Sequence, residues 1–396
     1  MSAALPPAGV VLLGGVHGAL AAARSLGRKG IPVIYVTDDH PLPKFSRYVR
    51  ESFDWPGAQS PGAVQWLLDL AASRGLKDWL LVPCADGDVK LIAENRDALQ
   101  KAFRVVSLPW GGLKQLGDKK LLADLAARAG IPFPRSYRVD SAADLAALEP
   151  SFPVLLKPAQ REARNSFTQD KVWRADTREQ LAALYRDAVM QSGTSGVAVQ
   201  DYIPGEGNDQ YSYAGVWSAG EPVADMTVRR TRQYPSDFGI SCFIEIVDEP
   251  RMRDVAHRLL RAASYEGLVE IDFKFDARDG QFKPLDVNTR VWAWLGLGEA
   301  AGVDFVTMLY RLAHGEQPPA AKVPEDHRWM HLLRDAPAVL SLLRQGQWHG
   351  GLSGYLACFR KPLAWATLAW DDPVPCLVEI PITALRILRR RMSKTS

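Results

Sequence analysis

Oxygen-bearing side chains alternate with apolar ones along residues 268–275 and again along residues 282–290. Successive side chains of a strand point to opposite faces, so the polar members of each segment would share one face. Residues 276–280 between them include an Asp-Gly pair, which is typical of a hairpin turn. The sequence therefore predicts an antiparallel hairpin with one polar face, which carries Glu270, Asp272, Asp286 and Asn288.

Such a face could bind a divalent metal ion. Directly opposed Cβ atoms lie about 4.5–5.5 Å apart, which is too close for two charged carboxylates without a cation. A few hard oxygen ligands suit Mg²⁺, which keeps several waters and takes other ligands from phosphates. The alternative is a charged face in water. Pro284 also indicates that the second strand lies at a sheet edge or begins late, because proline cannot donate to a ladder.

Three segments before the hairpin supply groups that a nucleoside triphosphate would need. Lys119 starts a helical run that ends at Gly130, and Lys157 ends a short apolar strand. Residues 196–205 predict a strand that leads into a proline-bounded turn, whose backbone could bind a flat base. Lys119 alone could be a solvated helix residue, whereas a lysine that ends an apolar strand must leave the core toward a polar group.

In this order, the segments resemble the ATP-grasp superfamily over residues 10–315, approximately. The resemblance implies ATP and Mg²⁺ as cofactors, with the phosphates held by Lys119 and Lys157 and Lys171 within reach of them. It places adenine beside the strand-to-linker residues Gln200, Asp201, Tyr202 and Ile203. It assigns the ribose to Asp209, with Glu206 as the substitute, and the metal to Asp272, Asp286 and Asn288. Arg290 corresponds to an arginine that faces the reacting phosphoryl group and the acyl substrate.

Two departures from the superfamily pattern affect these assignments. Most relatives carry glutamate where Asp272 and Asp286 stand, which leaves a single-metal or weakened site as an alternative. The loop after Lys157 commonly contains glycines that let backbone N–H groups wrap the phosphates, but residues 159–166 contain none. Either side chains such as Arg161 and Arg164 cover the phosphates, or this loop is a mobile lid.

A basic cluster lies between the nucleotide segments, in residues 227–235. The period of a strand would put Arg230 and Arg232 on one face. Guanidinium groups bind carboxylate and phosphate oxygens in a bidentate manner. We therefore expect Arg230 or Arg232 to position the acylphosphate or the carboxylate substrate, the alternative being a solvated strand edge.

The N-terminal region predicts a separate parallel, doubly wound α/β unit. An apolar strand at residues 10–13, a glycine turn at 14–18 and a helix ending at Gly30 form a βαβ unit with residues 33–36. Further strands are predicted at residues 79–83 and 104–109. The glycine turn lacks the full dinucleotide spacing, although Asp38 or Asp39 could contact a ribose. Asp86 follows a strand and could line the pocket of the second substrate.

Composition limits the class of protein. The chain has 396 residues, 47% of them hydrophobic, and a net charge of +3, which gives no reason to expect nucleic acid binding. Four scattered cysteines, no signal-like N-terminus and no long apolar run favour a reduced cytoplasmic protein without a transmembrane segment. The basic tail at residues 385–391 could lie on an anionic membrane surface or be a solvated terminus, and a homodimer remains open.

The sequence thus predicts an α/β and α+β protein. Residues 1–117 form a Rossmann-like pre-ATP-grasp domain, 118–315 an ATP-grasp domain with subdomains about 118–199 and 200–315, and 316–396 a C-terminal helical extension. The resemblance is strongest to stand-alone carboxylate-amine ligases, the group that includes D-aspartate ligases. It implies a ligase that activates a small carboxylate as an acylphosphate and joins it to an amine. A non-catalytic ATP-binding regulator, a carboxylase-type enzyme and an NAD-dependent oxidoreductase are the alternatives.

Overall fold

A computed structural model describes residues 8–159, 165–205, 209–235, 239–319, 323–324, 326–346 and 351–392. The chain divides into two compact units. The first unit comprises Met1–Ser107, Arg290–Leu333 and Leu352–Ser396, and the second comprises Leu108–Thr289 and Arg334–Gly351. Residues after position 315 are thus shared between the units, and the predicted three-domain division stays a prediction.

The elements follow one another in an order that mixes helices and strands throughout. The strands are β1 (Val10–Leu13), β2 (Val33–Thr37), β3 (Glu51–Asp54), β4 (Trp79–Pro83), β5 (Phe103–Arg104), β6 (Ser136–Tyr137), β7 (Val154–Pro158), β8 (Trp173–Ala175), β9 (Val197–Asp201), β10 (Gln210–Ser218), β11 (Glu221–Tyr234), β12 (Ile240–Ile246), β13 (Gly267–Asp276), β14 (Gln281–Asn288), β15 (Arg328–Met330) and β16 (Leu363–Trp365). The helices are α1 (His17–Arg28), α2 (Ala63–Arg74), α3 (Asp86–Glu94), α4 (Arg96–Leu99), α5 (Trp110–Gly117), α6 (Lys119–Arg128), α7 (Ala142–Ala147), α8 (Ser166–Asp170), α9 (Arg178–Ser192), α10 (Pro250–Ala262), α11 (Gly296–Ala300), α12 (Phe305–Ala313), α13 (Leu332–Arg344), α14 (Gly351–Ala357) and α15 (Val374–Met392). Short 3₁₀ helices occupy Leu42–Phe45 and Thr194–Gly196.

The first unit contains a five-stranded parallel sheet in the order β3-β2-β1-β4-β5. All four residues of β1 are buried, as expected for the centre of a parallel sheet that is covered on both faces. The predicted doubly wound sheet is therefore confirmed. The prediction missed β3, whose alternating half-buried and exposed residues give a weak signal, and the strand predicted at 104–109 is only Phe103–Arg104.

The glycine turn after β1 packs against a carboxyl group. Gly14 and Gly15 both have positive φ, near +70° and +75°. A Cβ on Gly14 would lie only 2.3 Å from Asp88 Oδ2, so the absence of a side chain lets Asp88 approach. Burial raises the pKa of Asp88 well above its ordinary value. A buried carboxyl therefore lies where a dinucleotide-binding turn would receive a pyrophosphate, which argues against the NAD-dependent alternative.

The C-terminal part of the first unit packs on its N-terminal part through ion pairs. Arg24 in α1 contacts the buried Asp372, with 2.9 Å between Arg24 Nε and Asp372 Oδ2. Within the C-terminal extension that was predicted to be helical, the residues around Trp329 instead form β15, and α13 begins at Leu332. The basic tail belongs to α15, although the side chains of its last residues, from Arg389, lie outside the described residues.

The second unit contains two antiparallel sheets. The smaller has the order β6-β9-β7-β8 and shares a core with α9, to which that helix contributes the buried Leu181. The larger has the order β14-β13-β10-β11-β12 within this unit. Helix α10 covers it with an apolar stripe spaced i, i+3, i+4, i+7 and i+8, formed by Met252, Val255, Ala256, Leu259 and Leu260.

Strand β7 contributes Val154 and Leu156 to the core of the smaller sheet. Both side chains are fully buried, and they belong to the same apolar cluster as Val197 and Val199 of β9. These apolar residues fix β7 and β9 side by side, so that the polar side chains at their ends project from the same sheet.

The predicted hairpin is confirmed as β13 and β14, which pair in an antiparallel manner. Asp272 opposes Asp286 and Glu270 opposes Asn288, as the alternation of polar and apolar residues indicated. A register shift after Asp272 places one extra residue in β14, so Phe273 opposes Pro284. Strand β14 lies at the edge of its sheet, which agrees with the position predicted from Pro284.

The turn of the hairpin is held by a buried carboxylate. Asp276 accepts hydrogen bonds from Arg278 Nη2 at 2.7 Å and from Lys283 Nζ at 2.8 Å. The hydrogen bonds from Arg278, followed by those from Lys283, hold the pKa of Asp276 well below its ordinary value. The ionised carboxylate therefore stabilises the folded hairpin at neutral pH.

We expect Asp276→Asn to lower the free energy of unfolding by about 1.5–3 kcal/mol at pH 7, because it removes charge-assisted hydrogen bonds. The pKa of Asp276 is depressed in the folded state, so its contribution is complete above the unfolded value of about 3.9 and is lost progressively as the pH falls from there toward the much lower folded value. Urea unfolding of both proteins at pH 7 and pH 2.5 measures how far the difference between them shrinks. Asp279→Asn, at the exposed neighbour in the same turn, should cost less than about 1 kcal/mol. An equal difference at both pH values would contradict the prediction.

Candidate functional site

The polar face of the hairpin brings four oxygen-bearing side chains together. Asp272 and Asp286 are directly opposed, and Asn288 Nδ2 donates to Glu270 Oε2 at 3.2 Å. Glu270 is only 7% exposed, so its carboxylate belongs to the interior of the site. The sequence placed Glu270 on this face but did not include it among the metal ligands. Two sequence features could have identified Glu270 as a site residue: its two-residue spacing from Asp272 and its position opposite Asn288.

Two cations from other elements contact these carboxylates. Lys119 Nζ lies 3.2 Å from Asp286 Oδ1, and Arg230 Nη1 lies 2.6 Å from Asp272 Oδ1. Ser212, which opposes Asp272 in the β10–β13 pair, donates to Asp272 Oδ1 at 3.0 Å. The hydrogen bonds of Ser212 and the two cations fix the orientation of both carboxylates.

Helix capping fixes the position of Lys119. Asp118 is the N-cap of α6, and its carboxylate accepts hydrogen bonds from the backbone N–H groups of Lys120 and Leu121. Lys119 is therefore the first helical residue, and its own N–H donates to Ala159 O at 3.2 Å. The side chain is 7% exposed and extends from the helix start to the hairpin.

The acidic face carries three carboxylates, and two of them contact cations. Burial opposes the charge of Arg230, but the carboxylates of Asp272, Glu270 and Asp286 outweigh this effect and raise the guanidinium pKa. Lys119 and Arg230 offset two of the three carboxylate charges of this face. A further positive charge is therefore favoured at this face, and carboxylate and amide oxygens are the ligands that Mg²⁺ prefers. The donor set fits the predicted metal, and the ligand assignment stays a prediction.

Lys157 is held at the end of β7 by a neighbouring amide. Its Nζ donates to Gln200 Oε1 at 2.7 Å, and Gln200 Nε2 donates to Ser136 Oγ at 3.1 Å. Lys157 and Gln200 are 7% and 4% exposed. The predicted polar partner of Lys157 is therefore present. The side chain of Gln200, a residue of the predicted adenine segment, orients this lysine, and its predicted place beside adenine stays a prediction.

We expect Gln200→Leu to raise the KM for ATP about tenfold or more, because Lys157 would lose its orienting acceptor next to the phosphates that it is predicted to bind. Steady-state kinetics at saturating Mg²⁺ measures this. Gln180→Leu, at an exposed glutamine on α9, is the matched control. An unchanged KM with a folded Gln200→Leu protein would show that Gln200 does not position a phosphate-binding group.

The other residues of the predicted adenine segment form the end of β9 and the start of a linker. Asp201 N–H donates to Arg135 O at 2.8 Å, and Tyr202 N–H donates to Pro153 O at 3.4 Å. These two amides already have acceptors within the protein. The prediction of adenine binding therefore depends on the carbonyl groups of this segment and on N–H groups from Ile203 onward, and the side chain of Ile203 is buried.

The predicted ribose ligand lies at the far end of that linker. A Cβ on Gly205 would lie 2.2 Å from Asp209 Oδ2, so the carboxylate packs directly on the Gly205 backbone. Lys274 in the hairpin donates to Gly205 O at 3.1 Å, a contact that the sequence did not predict. Glu206, the substitute ribose ligand, and the loop residues Arg161 and Arg164 lie outside the described residues.

Lys171 follows α8 and adopts a positive φ of 68°. Its backbone N–H donates to Phe167 O at 3.2 Å, which ends the helix. In the chain Lys171 lies between α8 and β8, and β8 belongs to the smaller sheet. Its predicted contact with the phosphates stays a prediction.

The expectation that Arg230 and Arg232 share one face is wrong. Register shifts surround Arg232, so Arg230 opposes Ile244 and Arg232 opposes the adjacent residue Phe243. Adjacent residues of β12 point to opposite faces, and the two arginines do likewise. Arg230 reaches Asp272, whereas Arg232 forms a buried bidentate ion pair with Asp335, at 2.7 and 3.0 Å. Arg230 is therefore the arginine of the acidic cluster.

Arg290, which follows the hairpin, belongs to the first unit. Its Nε donates to Asp86 Oδ1, at the start of α3. The next residue, Val291, donates its N–H to Pro83 O at the end of β4. The structure thus pairs two residues that were predicted separately, Arg290 for the reacting groups and Asp86 for the second substrate.

Comparison with known proteins gives one family, one relative by sequence and several solved structures. Residues 241–320 match the family described as carbamoyl-phosphate synthase L chain, ATP binding domain. The chain is 23% identical over 270 residues to a D-aspartate ligase from Enterococcus faecium (strain Aus0004), a match that covers 65% of this chain. The same match spans 64% of the length of that relative.

Two solved structures share the fold. The biotin carboxylase domain dimer of 2-oxoglutarate carboxylase from Hydrogenobacter thermophilus, in complex with MgADP, ADP and bicarbonate, superposes with a TM-score of 0.62 at 16% identity. That match covers 80% of this chain and 73% of that chain. The L-amino acid ligase from Bacillus licheniformis gives a TM-score of 0.59 at 15% identity, with 78% of this chain and 77% of that chain covered.

These matches confirm the predicted resemblance to the ATP-grasp superfamily and the predicted fold class. A separate observation concerns membranes. Across the part of the chain that the structure describes, no helix is both long and apolar enough to cross a bilayer.

Proposed function

We propose that this chain, which has an ATP-grasp fold, is an ATP-dependent ligase that joins a small carboxylate to an amine and releases ADP and phosphate. The observation that carries the proposal is the pair Asp272 and Asp286, with Lys119 and Arg230 in contact with it. This arrangement combines ligands for a cation with side chains that can donate to phosphate oxygens. The similarity to a D-aspartate ligase supports the ligase class, although the match spans 64% of that relative.

Each residue has a proposed role. Asp272, Asp286 and Asn288 hold Mg²⁺, which when bound offsets phosphate charge, and Glu270 orients Asn288 through their hydrogen bond. Lys119 and Lys157 donate to the phosphates, with Lys171 as a further donor. The linker from Gln200 to Ile203 flanks adenine, and Asp209 binds the ribose. Arg290 and Arg230 face the carboxylate and phosphoryl groups, whereas Arg232 has a structural role.

The proposed reaction needs no nucleophile from the protein. A carboxylate oxygen of the substrate attacks the γ-phosphorus, the bond to the β-phosphate oxygen breaks, and ADP leaves. The acylphosphate carbon is then attacked by the amine, whose proton is lost as phosphate departs and the amide forms. Lys119, Lys157 and the arginines stabilise the negative charge that is shared among the phosphoryl oxygens during transfer.

The proposal extends to the compartment and the assembly of the protein. We place the reaction in the cytoplasm, because the four cysteines are free and three of them are buried, as in a reducing compartment. A homodimer is proposed from the dimer in the matched carboxylase structure. A measurement of the molecular mass in solution tests the proposed homodimer.

An ADP-release assay tests the proposed function. Purified protein with Mg·ATP is incubated with pairs of amino acids, with single amino acids and with bicarbonate. We expect ADP and phosphate in equal amounts only when a carboxylate and an amine are both present, together with a condensed product by mass spectrometry. ADP release with bicarbonate alone would indicate the carboxylase-type alternative. Saturable Mg·ATP binding without turnover across the panel would favour the non-catalytic regulator.

A further inference from the structure

Three buried polar side chains meet in the first unit, whereas the hairpin of the proposed active site belongs to the second. His17 begins α1, His331 follows β15, and Glu379 lies in α15. Their exposed fractions are 8%, 3% and 4%. These residues are distant in sequence and meet because the fold brings three separate segments together. The proposed ligase reaction uses none of the three side chains.

The contacts among these side chains form a closed triangle. His17 Nε2 lies 2.7 Å from Glu379 Oε1, and His331 Nε2 lies 2.9 Å from the same oxygen. The two Nε2 atoms are 3.0 Å apart. The second oxygen of Glu379 accepts a hydrogen bond from Thr367 Oγ1 at 2.9 Å, which orients the carboxylate.

No placement of the imidazole N–H hydrogens makes all three contacts of this triangle favourable. The two Nε2 atoms share one acceptor, the carboxylate oxygen Oε1 of Glu379. If both Nε2 atoms donate to it, two N–H groups face each other across 3.0 Å. If one Nε2 accepts from the other, its lone pair faces a carboxylate oxygen. One contact of the three is unfavourable in either tautomer.

We propose that His17, His331 and Glu379 bind a transition-metal dication, with Zn²⁺ as the preferred ion. Two imidazole nitrogens and one carboxylate oxygen are a ligand set typical of Zn²⁺, and differ from the oxygen ligands that suit Mg²⁺. All three ligand atoms lie within 4.8 Å of one another. Ligands about 2.0–2.1 Å from a tetrahedral ion are roughly 3.3 Å apart, so the triangle must widen by only about half an ångström.

The proposed ion links parts of the first unit. Helix α15 contributes Glu379, the segment after β15 contributes His331, and the start of α1 contributes His17. Three protein ligands leave a fourth position for a water molecule, and the burial of all three side chains shields the ion from bulk solvent. Binding should therefore raise the thermal stability of the chain, since the unfolded chain does not hold these three ligands together.

Metal titration of the full chain tests the proposal. Protein treated with a chelator and dialysed is titrated with Zn²⁺ and with Co²⁺, without nucleotide. We expect one equivalent of Zn²⁺ at saturation, a higher melting temperature, and visible Co²⁺ absorption bands of a four- or five-coordinate site. The absence of saturable binding at micromolar Zn²⁺, or Co²⁺ bands of a six-coordinate aqueous type only, would overturn the proposal.

Variants assign the ligands. His331→Gln and Glu379→Gln should each weaken Zn²⁺ binding by more than about 100-fold, since loss of a direct ligand exceeds the effect of an outer-shell change. His257→Gln is the matched control, because His257 also contacts a carboxylate, Asp225, at 2.6 Å, but lies in the second unit. Undiminished binding in both ligand variants would refute the site. The wild-type Co²⁺ spectrum remains decisive if a variant does not fold.

Discussion

Asp286→Asn is expected to lower Mg²⁺-dependent ADP release by at least about 100-fold while the protein remains folded. Asp286 opposes Asp272 across the hairpin and contacts Lys119. The substitution keeps the shape of the side chain but removes one of the three carboxylates of the acidic face. The loss of this charge and of a proposed ligand weakens the attraction of the site for a divalent cation.

Two measurements separate metal binding from phosphate binding in this variant. ADP release is recorded across a Mg²⁺ titration, and Mg·ATP affinity is measured by calorimetry. Asp279→Asn is the control, because it makes the same chemical change at the turn of the same hairpin, outside the acidic face. If Asp286→Asn were as active as the wild type, the proposed Mg²⁺ site would not lie on this hairpin.

Arg232→Met is expected to lower the free energy of unfolding by about 3–5 kcal/mol, because it leaves a buried carboxylate without its partner. Asp335 is fully buried and accepts both hydrogen bonds of the Arg232 guanidinium. The guanidinium also lies over the ring of Phe243, 3.9 Å from its centroid. This arginine therefore contributes to packing of the second unit.

Arg230→Met provides the comparison within the same strand. It should reduce ADP release strongly, since Arg230 contacts Asp272, with a smaller change in stability than Arg232→Met causes. Urea unfolding followed by circular dichroism gives the stability, and the ADP assay gives the activity. If Arg232→Met kept full stability and lost turnover instead, the two assignments would be reversed.

Much of the fold followed from local sequence patterns. The alternation along residues 268–275 and 282–290 predicted the register that opposes Asp272 to Asp286. The apolar run of β1 and the glycine turn after it predicted the parallel sheet of the first unit. These features depend on neighbouring residues, whose periodicity is visible in a single sequence.

Features that depend on distant residues were not predicted. The bulge near Arg232 reverses its direction, and the signal for it is the buried Asp335, about a hundred positions later, rather than any local residue. The partner of Lys157 proved to be the side chain of Gln200, because β7 and β9 are adjacent in the sheet. Likewise, His17 and Glu379 meet only after both ends of the chain have folded.

Pro284 has a consequence for self-association. An edge strand normally exposes a row of N–H and C=O groups to which a foreign strand could add, as in cross-β aggregates. Proline removes one donor from β14, and the neighbouring bulge interrupts its regular spacing. The edge that presents the acidic residues is thereby a poor template for fibril growth, even though its backbone lies at the margin of the sheet.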